Sequence, residues 1–326
     1  MIRLAIVSPC YNEENVIEKS AVSLSQLLAE MIGEKLITED SFILYVNDGS
    51  KDRTWEIIQK LHTSNNFING LNLAYNVGHQ NAIMAGMMQA RLMADSVVTI
   101  DADLQDDVEV IKQMVQLHTE GNDIVYGVKV NRETDSLVKK ISAQMFYSIQ
   151  KMMGIKTVYN HADFRFLSKR VLDALAEYPE RNIYLRGIIP MIGFQSATVD
   201  DVISPRFAGH SKYTLQKMLR LACDGITSFS AKPIEMIVIV GVLMMLIALL
   251  MFVYVIVSMF TDHYTAGWAS IMMSLWFIGS VVTLAIGVIG TYIGKIYIEV
   301  KHRPLYYIAD SLIHAEQGDS TVKNKA

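Results

Sequence analysis

Val97-Val98-Thr99-Ile100-Asp101-Ala102-Asp103-Leu104-Gln105-Asp106-Asp107 is the stretch on which the fold turns. Its apolar, β-branched start reads as a buried strand, and the strand runs directly into alternating acids. Acids alternating at a strand end can send two carboxylates toward one hard cation, and Gln105 adds a neutral oxygen. Oxygen-only ligands suit Mg²⁺ or Mn²⁺. An EF-hand does not fit, because its sixth position falls on Asp106 instead of Gly and its twelfth on Lys112 instead of Glu. A plain acidic helix start accounts for Asp106, Asp107 and Glu109 better than for Asp101 and Asp103.

Short β-rich runs recur on the N-terminal side of this strand and once after it. Leu4–Ser8, Phe42–Asn47, Leu71–Ala74, Val97–Asp101 and Ile124–Val128 read as strands. Between them 14–31, 52–62, 80–93 and 106–118 have helical length and spacing. Strand and helix in alternation predict an α/β fold with a mostly parallel sheet and right-handed crossovers. In such sheets ligands sit outside the carboxyl ends of the strands. Those ends carry Ser8-Pro9-Cys10-Tyr11-Asn12-Glu13-Glu14, Asn47-Asp48-Gly49-Ser50 and the acids at 101 to 107. Asp-Gly-Ser is also a common turn and helix start, so that motif has a plainer reading as well. No G-x-G-x-x-G and no G-x-x-x-x-G-K-[ST] occurs, which disfavours a dinucleotide fold and a P-loop.

Composition divides the 326 residues in two. Overall 51% are hydrophobic and 19% charged, but from Pro233 to Gly294 the only charged side chains are Glu235 and Asp262. Outside that block about 23% of residues are charged, close to the soluble norm. This pattern excludes a wholly soluble protein, a disordered chain and a polytopic channel. Met236 to Phe260 is an uncharged run of bilayer-crossing length, and a second uncharged run extends from Tyr264 to Gly294. Only Thr261, Asp262 and His263 separate them, so a two-helix hairpin is expected, with spans near 236–260 and 266–294. A buried helical pair in a soluble core is the plainer alternative. Lys212, Lys217, Arg220 and Lys232 precede the hairpin and Lys295, Lys301 and Arg303 follow it, whereas its turn has neither Lys nor Arg. The positive-inside rule then places both chain ends on the cytoplasmic side.

Leu215, Met218, Leu219, Ala222, Ile226 and Phe229 recur at helical steps across 213–232. They predict an amphipathic helix, either in the plane of the membrane or packed on the soluble domain. Leu4-Ala5-Ile6-Val7 is too short for a signal core and runs into Pro9, so no secretory signal is expected. Two cysteines, Cys10 and Cys223, make no disulfide framework, and a net charge of −4 without a long basic cluster argues against nucleic acid.

Two further segments carry chemistry. Asp163-Phe164-Arg165 puts an acid and a guanidinium on one face if extended, although by itself an ordinary surface ion pair is the favoured reading. Arg206-Phe207-Ala208-Gly209-His210-Ser211-Lys212 offers a fork, a hydroxyl and a point charge, able to hold a phosphate monoester or to face anionic lipid. His79 has no acidic or cysteine partner at metal spacing and reads as a loop histidine.

In this order, Pro9-Cys10-Tyr11-Asn12-Glu13, Asn47-Asp48-Gly49-Ser50, Asn76-x-Gly78-His79-Gln80, Asp101-Ala102-Asp103-Leu104-Gln105, Asp163-Phe164-Arg165 and Gly209-x-Ser211-Lys212, followed by the hairpin, resemble one family. It is that of the inverting GT-A glycosyltransferases acting on polyprenyl phosphates, which includes bacterial bactoprenol (undecaprenyl-phosphate) glucosyltransferases and dolichyl-phosphate mannose synthase. The resemblance implies a GT-A, Rossmann-like catalytic domain over 1–212, the amphipathic helix over 213–232, the hairpin over 233–295 and a cytoplasmic tail over 296–326. It implies that Pro9, Tyr11, Glu13, Asp48, Asp101 and Asp103 bind the nucleotide sugar, and that Asp101, Asp103 and Gln105 carry the metal. Asp163 would be the catalytic carboxylate, orienting the acceptor or taking its proton. Lys129, Arg132, Arg206, Ser211 and Lys212 would hold the acceptor phosphate. The chain departs from the family pattern at Asp107-Val108, where prolines are common, and at Lys129, where arginine is expected.

The activity implied is transfer of a sugar, with UDP-glucose the favoured donor, to undecaprenyl phosphate in the bacterial inner membrane by a self-associating protein. UDP-N-acetylhexosamine, UDP-galactose and GDP-mannose are the alternative donors. A processive polysaccharide synthase would show Q-x-x-R-W and more spans, and neither is present. A non-catalytic membrane scaffold would have no need of Asp48, Asp101, Asp103 and Asp163 together.

Overall fold

The computed structural model describes residues 1–103, 105–129, 161–202 and 267–314, with isolated positions from Ile234 to Leu250. The amphipathic stretch 213–232, most of the first expected span, its turn at 261–263, the phosphate-holding candidates Arg132, Arg206, Ser211 and Lys212, and the chain after His314 lie outside the described residues. The chain forms two units, one of residues 1–147, 156–213 and 303–326, the other of 148–155 and 214–302.

The first unit is built on an eight-stranded sheet. In chain order it runs β1 (Leu4–Cys10), α1 (Ile17–Gly33), β2 (Phe42–Asn47), α2 (Thr54–Ser64), β3 (Ile68–Leu73), α3 (His79–Ala90), β4 (Ser96–Thr99), α4 (Val110–Thr119) and β5 (Ile124–Lys129). There follow β6 (His161–Ser168), α5 (Lys169–Ala176), α6 (Leu185–Ile192) and β7 (Ser196–Asp201), while β8 (Ile308–Leu312) closes the edge. The strand order is β7-β5-β6-β4-β1-β2-β3-β8. Strands β1 to β4 pair in parallel, as does β5 with β7, while β6 and β8 run antiparallel to their neighbours.

The parallel part follows from the sequence. Leu4-Ala5-Ile6-Val7 and Phe42-Ile43-Leu44-Tyr45-Val46 are buried throughout, as strands covered on both faces must be. Leu4, Ile6, Ile43 and Tyr45 join a core that includes Leu24, Leu28 and Met31 of α1. On the opposite face α3 lies so close that a Cβ at Gly86 would meet Val7 Cγ1 at 2.4 Å and Val46 Cγ2 at 2.7 Å. Each aliphatic side chain fully buried in these layers contributes about 1.5–3 kcal/mol.

Some bounds differ from expectation. β3 begins at Ile68, ahead of the apolar pair that marks it in the sequence, because pairing with β2 starts at Ile43. β4 ends at Thr99, so Asp101 lies just past the ladder instead of within it. Residues 308–312, read from the sequence as tail, form the eighth strand. Ala74 N–H donates to Tyr307 O at 2.9 Å, and the rings of His62 and His314 stack at 3.9 Å.

In the second unit the described positions between Ile234 and Leu250 are helical, and α7 spans Trp268–Val300. Its 33 residues pass beyond the expected end at Gly294 because Lys295 and Glu299 continue the helical ladder. Phe277–Val300 is long and apolar enough to cross a membrane, with a mean hydropathy of 1.9 and nothing buried along its most apolar window. Among the described residues it is the one helix of that kind.

Candidate active site

The loops after β1 and β2 are laced together at the carboxyl edge of the sheet. Asn12 N–H donates to Ser50 Oγ at 2.9 Å, Glu13 N–H to Thr54 Oγ1 at 3.0 Å, and Glu14 N–H to Asp52 Oδ2 at 3.2 Å. Lys51 N–H returns a bond to Asn12 Oδ1 at 2.8 Å. Pro9 closes β1 in a buried position, while Tyr11 is exposed and Glu13 half-buried beside this seam. Asp48 is buried, and the loop before α3 satisfies it. Val77 N–H reaches Oδ1 at 2.7 Å, and Gly78 N–H and Asn76 Nδ2 both reach Oδ2 at 3.0 Å. Burial pushes the Asp48 carboxyl up, and these two backbone N–H groups and His79 pull against it. Gly49, at φ +61°, makes the approach possible, since a Cβ there would stand 2.6 Å from Asn76 N.

That loop delivers His79, the first residue of α3, to the acids. His79 Nε2 lies 3.5 Å from Asp101 Oδ1 and 3.4 Å from Asp163 Oδ2. The loop-histidine reading is therefore corrected: both partners come from elsewhere in the chain, where local spacing cannot find them. Burial opposes a charge on His79, but its hydrogen bond to Asp163 and the charges of Asp101 and Asp163 outweigh it and raise its pKa.

Asp163 sits on β6 with Arg165 on the same face, as the extended reading requires. The pair is not a surface one, since Arg165 is fully buried and its Nη2 bonds Asp163 Oδ1. Phe164, on the opposite face, belongs to the core. A second guanidinium closes on the same carboxylate, with Arg186 Nη2 3.0 Å from Oδ2 and Nε 3.3 Å from Oδ1. Arg186 is in the first turn of α6, and Gln80 Oε1 accepts the neighbouring Leu185 N–H at 3.0 Å, tying the starts of α3 and α6 together. Burial alone would raise the Asp163 carboxyl. Arg186, His79 and Arg165 overcome it and hold the group well below the usual carboxylate range. A carboxylate held so low is a poor proton acceptor.

Asp101 behaves in the opposite way. Desolvation by its surroundings, together with Asp163, Asp106 and Asp103, pushes it up to about 6 against the pull of His79, although its side chain remains 44% exposed. Asp103 Oδ1 accepts Gln105 N–H at 3.2 Å. Mutually repelling hard oxygens of this kind fit a divalent cation. Among the described residues no three His, Cys, Asp or Glu side chains converge as a complete metal cage. The donor set therefore suits an ion that keeps water and substrate phosphate oxygens, as Mg²⁺ does.

The remaining acids of the loop turn away from this cleft. Asp106 is 5% exposed and meets Lys129 Nζ at 2.9 Å. Asp107 accepts Glu109 N–H at 3.0 Å in a local turn just before α4, and its own N–H donates to Asp201 Oδ1 at 3.0 Å. Lys129, expected near an acceptor phosphate, is thus placed against a buried carboxylate. Arg186, Asp106 and Asp201 were not anticipated. The two acids Asp200-Asp201 ending β7 repeat the signal that drew notice to Asp101 and Asp103.

The sheet is GT-A-like, and His79 joins Asp101, just past the end of β4, to the Asp163 carboxylate that Arg165 and Arg186 hold. The chain belongs to glycosyl transferase family 2, whose model matches residues 5–176. It is 48% identical over 305 residues to the uncharacterized glycosyltransferase YkoT of Bacillus subtilis (strain 168), covering 94% of this chain and 90% of that one. It is 35% identical over 312 residues to the SfII prophage-derived bactoprenol glucosyl transferase of Shigella flexneri, covering 95% and 98%. Among solved structures it resembles the mannosyltransferase PcManGT from Pyrobaculum calidifontis in complex with GDP-Man and Mn²⁺, at 14% identity and a TM-score of 0.46, covering 91% and 85%.

Proposed function

We propose that this glycosyltransferase moves glucose from UDP-glucose to the phosphate of undecaprenyl phosphate, with inversion at the sugar C1. The observation that carries the reading is the state of Asp163, held ionised by Arg165, Arg186 and His79. An acceptor hydroxyl would need a base, and this carboxylate is too weak a one. A prenyl phosphate needs none, because its second pKa is about 6 and it is largely a dianion near neutrality. The near full-length likeness to a bactoprenol glucosyl transferase supports the same acceptor class.

In this reading one acceptor oxygen attacks C1 from the face opposite the leaving group. The C1–O bond to the diphosphate breaks, and UDP departs with the electron pair. Asp163 orients the reacting pair and lends negative potential to the positive character that grows on the ring. Pro9, Tyr11, Glu13 and Asp48 hold the nucleotide at the laced loops after β1 and β2. Asp101, Asp103 and Gln105 would hold the divalent ion, which when bound offsets the charge gathering on the leaving diphosphate. Arg132, Arg206, Ser211 and Lys212 are assigned to the acceptor phosphate, whereas Lys129, expected with them, is engaged by Asp106. The chain would sit in the bacterial cytoplasmic membrane by two spans, α7 being the second, with both ends cytoplasmic.

The test incubates purified protein with undecaprenyl phosphate, Mg²⁺ and, separately, UDP-glucose, UDP-galactose, UDP-N-acetylhexosamines and GDP-mannose, and identifies lipid products by mass spectrometry. A glycosyl-phosphate lipid from UDP-glucose is expected. Product from another donor alone would replace the sugar, and no product with any donor would sink the acceptor.

A further inference from the structure

The acid loop is anchored at its far end by residues that take no part in the cleft. Lys129 and Asp201 are register partners at the ends of β5 and β7, so both meet the loop at one level of the sheet. Lys129 Nζ binds Asp106 Oδ1, and Asp201 Oδ1 takes the Asp107 backbone N–H. Asp201 is fully buried, Asp106 nearly so, and both acids share the one lysine. Two carboxylates brought together under cover are costly, and a fold keeps such a pair where its geometry is used. Here the geometry fixes a backbone. Asp107 is held at its N–H by β7 and through its side chain by the N–H of Glu109, the residue that precedes α4. The short segment from Asp101 to Gln105 is thereby suspended between the end of β4 and this double tie.

We propose that Asp201 is a positioning residue for donor binding: by accepting the Asp107 N–H from the far strand, it fixes the loop so that Asp101 and Asp103 face the nucleotide diphosphate together. The proposal rests on the donor site read above. It differs from a general structural role in a specific way: the acceptor oxygen of residue 201 matters, and its loss is felt at the loop and in donor affinity before it is felt by the sheet.

The experiment uses the full chain in detergent or lipid nanodiscs, with UDP-glucose and UDP as probes and Mg²⁺ present. It compares wild type, Asp201→Ala and Asp201→Asn by calorimetric binding and by hydrogen exchange of the peptide spanning 101–110. A buried N–H left without its acceptor corresponds to about a tenfold loss. Asp201→Ala should bind the nucleotides about tenfold more weakly and exchange the 106–107 amides about tenfold faster, with β1 and β2 amides as in wild type. Asp201→Asn keeps an acceptor oxygen and should stay within about twofold of wild type in both readouts. Wild-type affinity and protection in Asp201→Ala would overturn the proposal. So would an Asp201→Asn chain that has lost both, and that comparison decides the matter even where the alanine chain does not fold. A wild type that binds neither probe sinks the donor reading itself, while the exchange data still decide whether Asp201 holds the loop.

Discussion

Two clusters of acids and cations lie at the same end of one sheet, and they balance their charges differently. Around Asp163 the cations are in excess, with Arg165, Arg186 and His79 on one carboxylate. Between β5 and β7, among the described residues, Lys129 faces both Asp106 and Asp201. The first arrangement lowers the pKa of a carboxylate that burial alone would raise, and the second leaves the Asp201 carboxyl raised. In the proposed reading the first serves the transfer, while the second holds the Asp107 backbone N–H. The same residue types give opposite outcomes because the count of partners differs.

The sharpest way to break this contrast is to remove acids from the cleft. Asp103→Ala should lose metal-dependent transfer altogether, and chelation of the divalent ion from wild type should do the same. Undiminished product in the lipid assay from either would leave Asp101 and Asp103 as mere helix-start acids. Asp163→Asn keeps the shape but removes the charge that the two guanidiniums hold. We expect kcat to fall by about 10²–10³. A variant near wild-type rate would mean that the arginines, and not the carboxylate, are the working groups.

Much of the cleft was legible because parallel strands covered on both faces are written as apolar runs, and whatever follows such a run lies at the carboxyl edge. That rule alone leads to Pro9, Asp48, Asp101 and Asp103. It fails after β5, where the chain turns antiparallel into β6 and the acids meet partners that are far away in sequence. His79 looks like any loop histidine until Gly78, at φ +89°, starts α3 and turns the ring toward Asp101 and Asp163. Arg186 is announced by nothing local, since Gln80 of a different helix sets the start of α6. Asp201 could have been found. It ends a strand in acids, the same pattern that marks Asp101, but Ser196-Ala197-Thr198-Val199 lacks the apolar run that announces β4.

Arg186→Ala gives a milder test of the cation excess, because Arg165 and His79 remain. The carboxylate stays ionised but loses its paired fork, so about a tenfold fall in kcat is expected, with Arg186→Lys recovering part of it. The thermal midpoint should hardly move, since Arg186 is partly exposed whereas Arg165 is buried. A large drop in thermal stability with unchanged kcat would instead assign Arg186 to the fold.

The smallest effect concerns the cation-poor corner and is read by pH. Burial first, and then Asp106, raise the Asp201 carboxyl from the usual 3.8 to about 6, against the pull of the Asp107 N–H and Lys129. The native state thus binds this proton more tightly than the unfolded chain does. Stability from this group is fully present below the ordinary carboxylate value, falls as pH rises toward about 6, and stays low above it. Asp201→Asn cannot titrate and keeps an acceptor for Asp107. Its melting temperature should exceed that of wild type by about 2–4 °C at pH 7.5, and the gap should close as pH falls to about 4. Asp106 shares this titration, so the difference between the two curves reports the Asp201–Asp106 pair, with the more distant groups common to both chains. Curves that run parallel from acid to neutral pH would show that Asp201 is ionised in the fold after all, and the contrast between the two corners would then be one of geometry without one of protonation.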